Sequence, residues 1–288
     1  MNQNNPRLGI FLMICTTLIF SVQDGLSRYL AGEYNVMMIV MIRYWFFALF
    51  VVAISSRRSG GLRQVAKSAQ PGVQIARGLL LVADVGVMVL AFVVLGLAES
   101  HAIFAVYPLM VAALSFAILG ERVGWRRWIA IGVGFVGVLI ILQPGAGVFS
   151  MSALLPLVAA FMFALYTLLT RLVARKDRAE TSFFWTGVSG AVAMTLVGPF
   201  FWQNLHGNDW WLMLALCLTG SIGHYILIKA YEAAAPTVVQ PFSFLQLMFV
   251  SIIGFTIFDE PFKVTIAVGA TLIIASGLFT LWRERVAA

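Results

Sequence analysis

The chain has 288 residues, 61% hydrophobic and only 11% charged, with a mean hydropathy of +0.95. A soluble domain carries about 25% charged residues, so the composition excludes an ordinary globular protein and points to a membrane protein. The net charge of +7 does not imply nucleic acid, because the basic residues sit in short loops between apolar segments.

A spanning helix needs about 20 mostly apolar residues. By that measure ten spans follow one another near 8–30, 36–54, 76–97, 101–119, 126–143, 152–172, 181–202, 210–230, 236–257 and 263–282. The first apolar run continues through Leu26 without an A-x-A site, so it reads as a span and not as a cleaved leader. The longest connection, about 55–75, is too short for a soluble domain. Cys15 and Cys217 both lie inside apolar segments, which argues against a disulfide framework. The three histidines form no H-E-x-x-H pattern, so neither a metal nor a cofactor is expected.

Span 1 closes on "FSVQDGLSRYLA" (20–31), and span 6 on "FALYTLLTRLVA" (163–174), with Phe20 matching Phe163, Arg28 matching Arg171 and Ala31 matching Ala174. The chain therefore reads as a duplication, with repeats at 1–145 and 146–288. An odd number of spans per half requires the second half to enter the membrane upside down, an arrangement common in secondary transporters. Nearly all of the 19 basic residues fall on one side if both termini are cytoplasmic, as the positive-inside rule demands. The expected fold is all-α and integral to the membrane: ten helices in two inverted five-helix repeats.

The stretch "LAESHAIFAVYPLMVAALSFAILGERVGWRRWIAIGVGFVGVLIILQPG" (97–145) resembles the EamA domain of the drug/metabolite transporter superfamily. So does "IKAYEAAAPTVVQPFSFLQLMFVSIIGFTIFDEP" (228–261), although it carries Gln246 near the place of Pro108 and its own Pro241 further upstream. The resemblance implies a ten-helix transporter of small organic solutes, often an exporter of amino acids or other metabolites. It also implies a central cavity lined by spans 1, 3, 4, 6, 8 and 9. "FSVQDGLSRYL" and "GHYILIKAYEAA" (223–234) look nearer to members assigned uptake of a vitamin or of S-adenosylmethionine.

Ionisable groups within spans cost roughly 2.5–3.5 kcal/mol each on insertion scales, so they are candidates for function. Asp24 and Arg43 each lie about 9–10 Å from the outer end of their spans at 1.5 Å per residue, and are expected to pair. Asp24 could otherwise bind a cationic group or a coupling proton. Asp84, in span 3, has no basic neighbour on its own helix and could exchange a proton; His224 in span 8 lies at a depth where it could reach Asp84. Glu99 and His101 frame the outer start of span 4 and are expected to be solvated interface residues, with gating as the alternative. Pro108 permits a kink in span 4, and Tyr107 beside it offers a ring and a hydroxyl to the cavity. Gln246 is costly in mid-span unless bonded. Tyr166, Tyr225 and Phe244 are expected to extend an aromatic wall suited to a planar or cationic solute. Asp24, Asp84, Tyr107, Tyr166, His224, Tyr225, Phe244 and Gln246 are thus the candidate substrate contacts, with Arg43 and Pro108 in structural or coupling roles.

Other signals are structural. Ala130, Gly132, Gly134 and Gly137 make a small-residue face for close packing, with Gly269 and Gly277 as counterparts. Glu121 and Glu260 are expected to cap the repeated unit, and Trp125, Trp128, Trp210, Trp211 and Trp282 mark span ends. The expected function is secondary transport of a small neutral or zwitterionic metabolite, such as an amino acid, across the bacterial inner membrane. The alternatives are uptake of a vitamin or S-adenosylmethionine-like solute, a channel-like facilitator, and a polytopic membrane enzyme. Expected partners are a small-molecule substrate, the lipid bilayer and protons as a candidate coupling ion, but no nucleic acid; the chain could work as a monomer or a dimer. No G-x-x-x-x-G-K-[ST] loop is present for an ATP-driven pump.

Overall fold

The structure, a computed structural model, describes residues 5–57, 61–119, 124–142, 151–234 and 239–287. Every regular element among the described residues is helical. The Asn5 side chain accepts from Leu8 N–H at 3.1 Å, and Pro6 occupies the first turn, where its missing N–H costs nothing. The helix that starts there, α1 (Pro6–Glu33), has 28 residues, or about 42 Å at 1.5 Å per residue, longer than a bilayer's roughly 30 Å hydrocarbon core. Asn35 caps α2 (Val36–Ser56) in the same way, accepting from Met37 N–H at 2.9 Å. There follow α3 (Gly61–Ala66), α4 (Pro71–Leu95), α5 (Leu97–Phe104), α6 (Tyr107–Leu119) and α7 (Trp125–Leu142). The second half comprises α8 (Leu154–Val173), α9 (Ala179–Val197), α10 (Asp209–Ala233), α11 (Leu245–Ile257) and α12 (Val264–Ala287). One-turn 3₁₀ segments precede α8 and α11 and follow α9.

The burial pattern of α1 reverses that of a helix in a soluble protein. Its buried face is small and polar, with Gly9, Thr16, Thr17, Ser21, Gln23, Asp24 and Ser27, whereas Phe11, Leu18 and Val22 are exposed. Such a helix is stable only when hydrocarbon, not water, covers the exposed side. The buried hydroxyls are satisfied locally: Thr16, Thr17 and Ser21 donate to carbonyls three or four residues earlier. Six helices of the described residues are long and apolar enough to cross a bilayer, namely Pro6–Glu33, Val36–Ser56, Pro71–Leu95, Met151–Val173, Ala179–Phe201 and Asp209–Leu227. Four shorter apolar stretches, Leu97–Val111, Trp128–Leu142, Phe242–Ile257 and Val264–Phe279, occupy the remaining expected positions.

Helix pairing reflects the duplication. α1 packs on α10 and α11, α8 packs on α4 and α6, α2 on α9, and α7 on α12. Exchanging the halves turns the first set of contacts into the second and leaves the last two pairs unchanged. α7 and α12 meet at backbone contact, since a Cβ on Gly137 would stand 2.7 Å from the carbonyl oxygen of Gly269. Gly132, expected on the same close face, has nothing within 4 Å of where its Cβ would be, so it does not belong to that crossing.

Three local expectations are corrected. Span 4 is not one kinked helix: it breaks at Ala105–Val106, between α5 and α6. Pro108 therefore sits in the first turn of α6, and the break falls just before it, where its missing N–H and its ring's clash with the Phe104 carbonyl disfavour a continuous helix. The 55–75 connection contains the short α3, and α4 begins at Pro71, more than a turn before the expected boundary. That early start places Arg77 in the second turn of the helix and not in its first, where the expected span had it.

Candidate functional site

A cavity of about 260 Å³ lies between the two halves, walled by α1, α2, α4, α5 and α6 from the first and by α8, α10 and α11 from the second. Asp24, Arg43, Asp84, Tyr107, His224 and Gln246 all line it. Tyr166, Tyr225, Phe244 and Pro108 are not among its lining residues.

Asp24 is 8% exposed, and its carboxylate is held by neighbours other than the one expected. Gln246 Nε2 of α11 donates to Oδ2 at 2.9 Å, His101 Nε2 of α5 lies 3.0 Å from the same oxygen, and Gln23 Nε2 lies 3.4 Å from Oδ1. With Asp24 ionised, His101 Nε2 must carry the proton, because a carboxylate only accepts. The expected Asp24–Arg43 pair is absent among the described residues. Arg43 stands instead beside Gly220 of α10, where a Cβ would meet Gln23 Oε1 at 3.0 Å and Arg43 Nε at 3.7 Å. His101 is not a solvated interface residue either: α5 starts at Leu97, which puts His101 a full turn inside, stacked on Phe92 at 5.2 Å.

The contact expected between Asp84 and His224 is not made. The His224 ring packs against Phe20 at 5.0 Å and Phe47 at 5.7 Å. Asp84, 4% exposed, keeps its Oδ1 without a partner among the described residues. Two more cavity atoms share that condition, Gln23 Oε1 and Ser221 Oγ.

The aromatic wall differs in membership from the expected one. Phe104, Tyr107 and Phe163 form it, with Tyr107 edge-on to Phe163 at 4.9 Å and Phe104 within 5.5 Å of both. Tyr225 is 43% exposed because it follows His224 by one position, about 100° around α10, and its ring lies beneath Lys229 Nζ. Phe244 fills the space beside Gly277 of α12. Tyr166 lies one turn from Phe163 along α8 and stacks on it at 5.7 Å, but its hydroxyl faces Arg77.

Arg77 was not anticipated as a buried group. It is 2% exposed, and its guanidinium donates to Tyr166 Oη at 3.3 Å, Thr170 Oγ1 at 3.0 Å, Thr186 Oγ1 at 2.6 Å and the Ser182 carbonyl. These acceptors are all neutral. One turn separates Arg77 from Leu81, which lines the cavity, so α4, α8 and α9 are fastened together just below it. Pro71 was the available signal, since proline favours a first helical turn and would have moved the start of the helix more than a turn before Arg77.

The bundle is tied at both ends. Where α1 finishes, Arg28 pairs with Glu260 and lies over the Phe258 ring at 4.1 Å. Glu260 also accepts from the N–H groups of Leu97 at 2.6 Å and Ala98 at 3.0 Å, which caps α5. Glu260 thus caps a helix of the other half; Glu121, its expected counterpart, lies outside the described residues. Lys263 reaches Glu99 at 2.7 Å, and Tyr34 donates to Asp209 at 2.6 Å. At the opposite end, Asp177 accepts from Ser68 Oγ, from Ala69 N–H at 2.7 Å and from Gln74 Nε2 at 2.9 Å. Among the described residues no three His, Cys, Asp or Glu side chains gather as metal ligands would.

A helical bundle with a polar-cored cavity between duplicated halves is the architecture of a membrane transporter. The chain belongs to the EamA-like transporter family, whose model matches residues 7–143 and 150–282. It is a multi-pass membrane protein. It is 24% identical to an S-adenosylmethionine uptake transporter of Rickettsia prowazekii, across 96% of this chain and 93% of that one. A riboflavin transporter of Vibrio cholerae is 26% identical, covering 98% of this chain and 96% of its own. A pseudopaline exporter of Pseudomonas aeruginosa is 25% identical, over 93% and 94% of the two chains. One crystal structure shares the fold at a TM-score of 0.67 and 17% identity, covering 97% of this chain and 98% of its own.

Proposed function

We propose that the chain is a secondary transporter of a small organic metabolite, an amino acid or a similar neutral or zwitterionic solute, in the inner membrane. It works by alternating access. Ten spans form two inverted five-helix repeats, 1–145 and 146–288, with both termini cytoplasmic, and the halves rock about the cavity they share. The observation that carries this reading is the cavity itself: both halves wall it, and Asp24, Asp84, Arg43 and Gln246 are among its lining residues. Its volume of about 260 Å³ lies just below the usual 300–1,000 Å³ of sites for drug-sized ligands, which suits a small solute. Asp24 or Asp84 exchanges a proton during the cycle, and Tyr107 and His224 complete the contact surface.

A second reading is uptake of an S-adenosylmethionine-like solute or a vitamin. The Phe104–Tyr107–Phe163 wall supports it, because aromatic faces favour a flat or cationic group. The test is counterflow in proteoliposomes preloaded with amino acids, S-adenosylmethionine or riboflavin. Saturable exchange of one solute class is expected, together with its loss in a well-folded Asp24→Asn protein. Flux that rises linearly with concentration would show a channel, and normal exchange by Asp24→Asn would remove Asp24 from the cycle. Exchange indifferent to a pH gradient would remove the proton.

A further inference from the structure

The two ends of the bundle treat their surface cations differently. Where α1 finishes, Arg28 sits on Glu260 and Lys263 on Glu99. At the opposite end lie two connections, 55–70 before α4 and 174–180 between α8 and α9. Together they hold seven basic residues and only two acidic ones, Asp177 and Glu180. Six of the basic residues, Arg57, Arg63, Lys67, Arg175, Lys176 and Arg178, are described, and all six are exposed. Among the described residues none of the six forms an ion pair.

Tertiary contacts draw these cations into one patch. Asp177 accepts from Ser68, from Ala69 N–H at 2.7 Å and from Gln74 at 2.9 Å, so Lys67 and its counterparts Lys176 and Arg178 flank a single joint. Trp185 Nε1 of α9 donates to the Ala66 carbonyl at 3.1 Å and holds the end of α3, with Arg63 and Lys67 beside it, against α9. The other side of α3 packs on α2, which Arg57 terminates. Asp177 was placed to neutralise one of these side chains, yet its carboxylate is spent on three neutral donors. The joint therefore gathers positive charge from both repeats without compensating it. Like charges brought together repel, and an anion between them reverses the sign.

The setting defines that anion. The patch lies where α2, α4, α8 and α9 meet the membrane surface, at the level of phospholipid headgroups. Leu62 is 38% exposed next to Arg63, and cations interleaved with apolar side chains suit the boundary between headgroups and hydrocarbon. A guanidinium offers a phosphate two parallel hydrogen bonds, and polybasic segments beside a spanning helix attract anionic lipid.

We propose that the Asp177 joint presents a docking surface for the phosphodiester headgroups of anionic phospholipids, with Arg63 and Lys67 gripping from one connection and Arg175, Lys176 and Arg178 from the other. Lipid bound there fastens the two repeats at this end. The proposal is independent of what the cavity carries.

The test measures binding of acyl-labelled phosphatidylglycerol and phosphatidylcholine to the purified full-length protein in a neutral detergent. Phosphatidylglycerol should bind at least about tenfold more tightly in about 0.05 M salt, and the preference should shrink toward about 0.5 M as the charges are screened. Arg63→Gln with Lys67→Gln, or Arg175→Gln with Lys176→Gln, should each weaken phosphatidylglycerol about 25-fold, at roughly fivefold per cation, and leave phosphatidylcholine unchanged. Arg7→Gln with Arg126→Gln removes as much charge from exposed positions outside the two connections, and should have a much smaller effect. An equal loss in that control would overturn the proposal, because net charge alone would then draw the lipid. Equal binding of the two lipids by the native protein would overturn it too, a comparison that depends on no variant folding. So would displacement of the lipid by inorganic phosphate beyond that caused by chloride at matched ionic strength, which would show a site for a free anion. Each of these results leaves the transporter reading to the counterflow experiment.

Discussion

Asp177 joins two connections that are distant in sequence, the one before α4 and the one after α8. Partial burial disfavours its charge, but the hydrogen bonds from Ser68, Ala69 and Gln74 outweigh that effect and hold its pKa below the usual aspartate value. A carboxyl whose pKa is lower in the folded chain binds fewer protons there than when unfolded. Its contribution is therefore complete above the ordinary aspartate pKa, about 3.9, and is lost as pH falls through the lower folded value. The native protein should melt higher than Asp177→Asn near neutral pH, with the gap closing below about pH 4. Melting curves of both proteins between pH 3 and pH 7 decide this, and a gap independent of pH would show that the charge is not what stabilises the joint. Arg77 teaches a different lesson about single residues. A basic side chain near a span end reads as an interfacial charge under the positive-inside rule, and nothing in its own identity says otherwise. Only Pro71, six positions earlier, marks where the helix truly begins.

Among the elements, the α7–α12 crossing separates two glycines that look alike in sequence. A methyl at Gly137 would press on the backbone oxygen of Gly269, which cannot rotate away, whereas a methyl at Gly132 would meet nothing. Gly137→Ala should then cost about 1–3 kcal/mol, as overpacked interiors do. Gly132→Ala should be neutral or stabilise by up to about 1 kcal/mol, since alanine is the better helix former. Unfolding of both variants in detergent, followed by loss of helical signal, would test the pair, and equal effects would dispose of the proposed crossing. The long helices were legible because twenty apolar residues admit few other fates, and α1, α2 and α4 fall close to their expected places. The break between α5 and α6 was not. Pro108 marks the region, but whether a proline kinks a helix or ends it is decided by packing against segments distant in sequence, which no local pattern encodes. For the same reason Asp24, Arg43 and Asp84 could be singled out by their cost in a membrane, while their partners could not. Depth along a helix can be counted from sequence; direction around the bundle depends on packing, and it brought His101 and Gln246, not Arg43, to Asp24.

On the scale of the whole molecule, one carboxylate links the halves at the end where α1 finishes. Glu260 follows α11 in the second half, yet it holds Arg28 of α1 and the first N–H groups of α5 in the first. If the halves rock about the cavity, these contacts must part when that end opens, so they stabilise only the closed arrangement. Weakening them shifts the population toward opening by their differential contribution. Glu260→Gln keeps an acceptor for α5 but removes the charge facing Arg28. Cys217 reports the outcome, because it lines the cavity and is 4% exposed. In a Cys15→Ser background, labelling of Cys217 by a membrane-impermeant maleimide should rise several-fold in the Glu260→Gln protein when the reagent is added on that side. A shift of about 1.4 kcal/mol in the equilibrium would give a tenfold rise while the open form remains the minority. Labelling added from the opposite side should fall only slightly, since the newly opened molecules are drawn from the majority population. Unchanged labelling from both sides would mean that Glu260 only caps α5, and that the contacts restraining this end lie elsewhere, with Lys263–Glu99 and Tyr34–Asp209 the next to be broken.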